Sequence, residues 1–153
     1  MSILLDTNIL LYLIKGTNRQ SLYKKINPQN ERVYLSIVSV GEIKTIALTN
    51  GWGKSKQSIM GLLLNEVPIL EINESLVETY TQIDAFSQCR NPAYPEYPFK
   101  TPRNMGKNDL WIAATAALLG LKLVTTDADF NHLHNVFIEV ERLKPELLRD
   151  NNG

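Results

Sequence analysis

Four acidic residues stand where regular elements should begin or end: Asp6 in "LLDTNILL", Glu42 in "SVGEI", Asp109 in "NDLWIAATA" and Asp127 in "LVTTDADF". Asp6 interrupts an apolar run, and a buried unpaired carboxylate is strongly unfavourable unless it gives up its charge. It must be solvated, cap a helix or hold a cation. Several carboxylates brought close together repel, and without a counter-ion one or more stays protonated at neutral pH. All-oxygen donors suit Mg²⁺ or Mn²⁺ rather than zinc. Such an ion acidifies water and neutralises a phosphodiester, so hydrolysis of a nucleic-acid backbone is the chemistry this set would serve.

Each acid also has a structural use. Asp6 can cap a helix, Ser39 and Glu42 have the spacing of a capping box, Asp109 favours its helix dipole, and Asp127 can shape a turn. Asn108 reads as the N-cap of the Asp109 helix, and Thr7 and Thr126 as side chains bonding nearby backbone. The order of elements is what joins the acids.

Strands are expected at Ile3 to Leu5, Val33 to about Ile37, in "VPILEI", in "LKLVTT" and in "VFIEVE". Helices are expected from about Thr7 to Lys15, Gln20 to Ile26, along "SVGEIKTIALTNG", from Lys54 to about Asn65, from Glu74 to about Gln88, and along "KNDLWIAATAALLG". This alternation predicts parallel βαβ units with helices on both faces. Strand carboxyl ends and helix amino ends then share one edge, which all four acids face. The segment "CRNPAYPEYPFKTPRNMG" holds four of the seven prolines and cannot be regular helix or central strand. It must carry the chain back across the domain, at about 3.3 Å per residue.

With 153 residues, 44% of them hydrophobic, one domain is expected. We place it at 1–145, with a short polar tail at 146–153. Sixteen basic and sixteen acidic residues cancel, so attraction to nucleic acid must come from local patches. Cys89 stands alone, which excludes an internal disulfide and multi-cysteine zinc sites and fits a reducing cytoplasm. The apolar run from Ile9 to Ile14 is too short to span a membrane, and no membrane association is expected.

In order and spacing, the four quoted segments resemble the acidic motifs of the PIN-domain ribonucleases, in particular the VapC-like toxins of bacterial toxin–antitoxin pairs. The likeness runs from the first strand to about Phe130. It implies an α/β, PIN-like three-layer sandwich whose central, mostly parallel five-stranded sheet carries helices on both faces. It implies an Mg²⁺- or Mn²⁺-dependent endoribonuclease leaving a 3′-hydroxyl and a 5′-phosphate. Asp6, Glu42, Asp109 and Asp127 become the metal-binding and catalytic acids, with Asn8 and Thr125 as supporting residues. Asp129 either orients a water or caps the turn into Asn131 and His132. The implied partners are an RNA substrate, a cognate antitoxin and a second copy of the chain. Apolar helix surface near Ile9 to Ile14 and Ile59 to Leu64 is available for the protein contacts.

The segment from about Arg90 to Met105 is longer than that family's pattern. Tyr94, Tyr97 and Phe99, beside Lys100, Arg103 and Lys107, resemble a surface for single-stranded RNA, while packing on the body of the domain is the more ordinary fate of such a loop. His132 and His134 read as surface-turn residues, because no third ligand completes a metal site. Trp52 reads as an interhelical anchor, Trp111 as a packing or dimer residue, and Lys24, Lys25, Lys54 and Lys56 as solvated helix faces. Two other Mg²⁺-carboxylate modules fit poorly. A phosphoacceptor receiver domain needs an adjacent acidic pair after its first strand, and a haloacid-dehalogenase-type phosphatase needs an aspartate where Asn8 stands. A non-catalytic PIN-like RNA-binding or scaffold protein is the remaining alternative.

Overall fold

The first strand, β1 (Ile3–Leu5), is buried on both sides, which is why three apolar residues run without alternation. Around it the computed structural model, which describes residues 1–149, builds a five-stranded sheet in the order β3-β2-β1-β4-β5, with β2 at Val33–Ser36, β3 at Ile69–Leu70, β4 at Lys122–Thr125 and β5 at Val140–Arg142. Every strand pair is parallel. Helices α1 (Thr7–Lys15), α2 (Arg19–Ile26), α3 (Ile37–Thr49) and α4 (Lys54–Glu66) pack with Ile3, Leu5, Val33 and Leu35 on one face. Helices α5 (Val77–Ser87) and α6 (Lys107–Leu119) pack with Leu4 and Leu123 on the other. The expected sandwich is therefore present, with a wholly parallel sheet.

Strand order places the functional edge. β2 and β3 extend to one side of β1, and β4 and β5 to the other. The connections thus reverse direction between β1 and β4, where an open parallel sheet leaves a crevice at its carboxyl ends. Asp6 N–H donates to Val124 carbonyl at 3.0 Å, closing these two strands together just below that crevice.

Several boundaries differ from the sequence reading: of "VPILEI" only Ile69–Leu70 pairs as a strand, and the helix expected from Glu74 opens with a 3-10 turn before α5 begins at Val77. Helix α3 starts at Ile37 because the Ser36 hydroxyl caps Val38 N–H, so Ser39 lies inside the helix and forms no capping box. Helix α6 starts at Lys107 with Gly106 as its N-cap, and Asn108 is already helical. The last strand is only Val140–Arg142, because Asn135 takes a left-handed φ of 61° in a turn and only Val140 onward registers with β4.

The body also continues past residue 145. A short helix α7 (Pro145–Leu148) lies against α2, and Leu148 is 2% exposed within the first core. Burying a leucine contributes about 1.5–3 kcal/mol, enough to hold such a terminal turn. Residues 150–153 of the expected tail lie outside the described residues. Among the described residues, no helix is long and apolar enough to cross a membrane.

Candidate active site

Asp6 is the N-cap of α1 and is buried at the end of β1. Its Oδ1 accepts from Thr7 N–H at 2.8 Å and its Oδ2 from the Thr125 hydroxyl at 2.7 Å. The same Thr125 oxygen accepts from Asp127 N–H at 3.0 Å. One fully buried hydroxyl therefore ties the carboxylate after β1 to the backbone after β4. Burial raises the Asp6 carboxyl above its usual range, the hydrogen bonds from Thr125 and Thr7 pull it back, and the charges of Glu42 and Asp127 push it up again.

Glu42 projects from the second turn of α3, which follows β2 directly. Thr7 Oγ1 donates to Glu42 Oε1 at 2.8 Å and hydrogen-bonds Ser39 Oγ at 2.9 Å. Thr7 is thus more than a local backbone binder: it joins the start of α1 to the first two turns of α3. The available signal was that Thr7 and Ser39 each follow one of two adjacent parallel strands.

Asp109 lies in the first turn of α6, and Asp127 caps the 3-10 turn Ala128–Leu133 through Asp129 N–H at 2.9 Å. One carboxylate oxygen from each of Asp109, Asp127 and Asp129 lies within 4.8 Å of the other two. Asp109 is pushed up to about 7, first by burial and then by the charges of Asp6, Asp127, Glu42 and Asp129. All four acids singled out in the sequence thus share one electrostatic field, and Asp129 joins their closest cluster while also standing in the turn. Asn8 is exposed in the first turn of α1.

The proline-rich segment folds down onto the domain. Asn91 is buried and donates to Gln82 carbonyl at 3.0 Å, while Tyr97 Oη donates to Asn91 carbonyl at 2.9 Å. Tyr94, Tyr97 and Phe99 surround Phe86 at centroid distances of 4.8, 5.3 and 5.5 Å. Packing, not an open stacking surface, is therefore where these rings spend their apolar area. Lys100, Arg103 and Lys107 are exposed, and Arg103 holds its guanidinium 5.4 Å from the Phe99 ring centroid.

His132 is not a simple surface residue. Its Nε2 lies 2.8 Å from the Ser87 hydroxyl, its ring packs against Phe86 and Phe99, and it bonds the backbone of Asp129. Burial, then the Arg103 charge, lowers it to about 4, so the ring is neutral at physiological pH. His134 Nδ1 accepts from Val140 N–H. Trp111 packs on Tyr80 with ring centroids 4.2 Å apart and planes tilted by 37°, and Trp52 packs on the first core beneath Lys56.

Acid-bearing strand ends, their order and the parallel sheet meet in one family. Residues 3–135 match the family profile described as "PIN domain". The chain belongs to the PIN-domain family. Ribonuclease VapC1 of Haemophilus influenzae strain R2866 is 32% identical over 130 residues, spanning 82% of this PIN protein and 86% of that relative. The structure of VapBC-1 from nontypeable Haemophilus influenzae superposes with a TM-score of 0.68 at 28% identity, covering 93% of this chain and 98% of that one. VapBC2 from Rickettsia felis, bound to a DNA fragment from its promoter, shares the fold with a TM-score of 0.67 at 20% identity, over 92% and 98% of the chains. The matched part of this PIN domain contains all five acids of the crevice and ends before β5.

Proposed function

We propose that this PIN-domain protein is an endoribonuclease that cleaves RNA phosphodiesters with Mg²⁺ or Mn²⁺, and that it is the toxin of a toxin–antitoxin pair. The observation carrying the reading is the crowding of Asp109, Asp127 and Asp129 within 4.8 Å, in the field of Asp6 and Glu42. Such crowding is unfavourable unless a cation relieves it. The oxygen-only donor set fits a hard divalent ion. Asp109, Asp127 and Asp129 would hold it, with Asp6 and Glu42 beside them. The chemistry it supplies when bound is polarisation of the phosphodiester and acidification of water.

The chain's own groups do the positioning. Thr7 N–H and the Thr125 hydroxyl fix both oxygens of Asp6, so this carboxylate cannot rotate. Thr7 Oγ1 holds Glu42 toward the same crevice. Asp109, raised to about 7 by burial and then by the neighbouring carboxylates, is only partly ionised at neutral pH, and a bound cation would complete its ionisation. The protein thereby stores an unfavourable charge arrangement that ligand binding discharges.

The antitoxin reading draws on the VapBC relatives and on a groove of about 590 Å³ between α1, α2 and α4. Leu10, Leu13, Tyr23 and Leu63 line it, with Arg19 and Arg32 also contributing. An amphipathic segment with acidic flanks matches that lining. Ile9 and Ile14 are buried, so little of the apolar α1 surface beyond this groove is open for a partner or a second copy of the chain.

Cleavage of an RNA stem-loop should require added Mg²⁺ or Mn²⁺, and Asp6→Asn and Asp109→Asn should each lower the rate on the order of 100-fold. Equal residual binding without any cleavage by the unaltered protein would instead support a scaffold.

A further inference from the structure

The proline-rich crossing and the turn after β4 enclose a cavity of about 630 Å³ that opens beside the acids. This lies within the range of about 300–1,000 Å³ occupied by small-ligand sites. Asp129 belongs both to its wall and to the carboxylate cluster, so an occupant would sit next to the bond being cut. Phe99 and Met105 give the cavity an apolar side, and Arg103 lies over the Phe99 ring. Among the lining residues Arg103 has the one permanent positive charge, since His132 is engaged by Ser87 as a neutral ring. Asn104 and Asn131 also line the cavity, and neither side-chain amide has a described partner in the protein.

We propose that this cavity receives one unstacked base of the RNA, directly beside the phosphodiester held at the acids. The inference rests on the nuclease reading above and adds where base selectivity resides. A free anion suits the cavity poorly, because Asp129 opposes it. A neutral heterocycle with donors and acceptors on its edge suits the two amides, while Pro98, Pro102, Met105 and the exposed side of the Arg103 guanidinium suit its face. Arg103 is also placed to meet the phosphate that follows.

The cavity is preformed. Arg103 N–H donates to Ser87 carbonyl at 2.7 Å, and Ser87 holds His132 on the opposite wall. Asn91 and Tyr97 pin the outward limb of the crossing. Little ordering is left for the substrate to impose, which favours selectivity.

The test uses an RNA pool with a randomised single-stranded stretch, cut in Mn²⁺ and sequenced at the new ends. The unaltered protein should prefer one base at a fixed position beside the cut by about tenfold or more. Asn104→Ala with Asn131→Ala should weaken that preference by about fivefold while cutting continues. Val136 lines the cavity and is 39% exposed, so Val136→Trp can fill it without disturbing the core. It should slow cleavage about tenfold. Separately, AMP, GMP, CMP and UMP should shift the methyl resonance of Met105, ribose 5-phosphate and inorganic phosphate should not, and Val136→Trp should abolish the effect.

An unchanged base preference in both variants overturns the proposal and leaves the nuclease reading standing. If no RNA is cut at all, the nuclease reading fails, and the Met105 titration decides alone. A resonance that no nucleotide moves, or that ribose 5-phosphate moves equally, then overturns the cavity assignment; one moved by nucleotides and lost in Val136→Trp upholds it as a nucleotide site.

Discussion

Replacing Asp109 by asparagine should make the metal-free protein more stable at pH 8 and deprive it of most of its response to Mg²⁺. In the folded chain Asp109 keeps its proton up to about 7, against an ordinary value of 3.8. Below about 4 both folded and unfolded chains are protonated there, and the residue has no effect on stability. As pH rises from 4 to 7 the unfolded chain releases the proton while the folded chain retains it, so stability falls; above 7 the full loss is present. At 1.36 kcal/mol per pH unit the gap is about 4 kcal/mol. Because the carboxyl reaches solvent at the crevice, screening reduces this to about 1–2 kcal/mol.

For a chain of this length that difference raises the melting temperature by about 3–6 °C. The assay is thermal unfolding of both proteins in EDTA at pH 5 and pH 8, repeated at pH 8 with Mg²⁺. The advantage of Asp109→Asn should be clear at pH 8 and less than half as large at pH 5. Mg²⁺ at a hundred times its dissociation constant should stabilise the unaltered protein by about 2.7 kcal/mol, and the variant by much less. If Asp109→Asn melts lower than the unaltered protein in EDTA at pH 8, or its advantage does not change with pH, crowded negative charge is not what governs this site.

Thr125→Val removes the hydroxyl that serves both Asp6 and Asp127 N–H, and should cost about 1–3 kcal/mol in urea unfolding together with a 10- to 100-fold loss of RNA cleavage. His132 should stay neutral through pH 6 in an NMR titration, with its protonation near pH 4; titration near 6.5 would contradict its packing on Phe86 and Ser87. Leu148→Ala should destabilise by about 2–5 kcal/mol despite its place late in the chain. Leu147→Ala, at a position 54% exposed, should stay within about 0.5 kcal/mol.

The convergence of the acids could be read from residue order, because strand ends and helix starts in a parallel sheet share an edge whatever the side chains do elsewhere. Fine placement could not. Ser39 and Glu42 have a capping spacing, yet the helix already starts at Ile37 behind the Ser36 cap, and only the neighbouring Thr7 reveals what Ser39 faces. "VFIEVE" has strand composition throughout, but the turn at Asn135 delays pairing until Val140. Asn91 looks like any loop asparagine until the crossing closes around it, and His132 looks like a surface residue until Ser87 arrives from α5. Ser39 and His132 depend on partners 32 and 45 residues away, while Asn91 and Asn135 depend on backbone turns that composition does not encode.

The sheet order also governs when the crevice can come into being. A ribosome making this chain releases β1 early and β4 late, yet those two strands lie side by side at its centre. Until β4 emerges, Asp6 lacks its Thr125 partner, and Asp109, Asp127 and Asp129 cannot gather. A polypeptide that stops before β4 therefore carries Asp6, Glu42 and at most Asp109, and the carboxylate cluster forms only once Asp127 and Asp129 have followed.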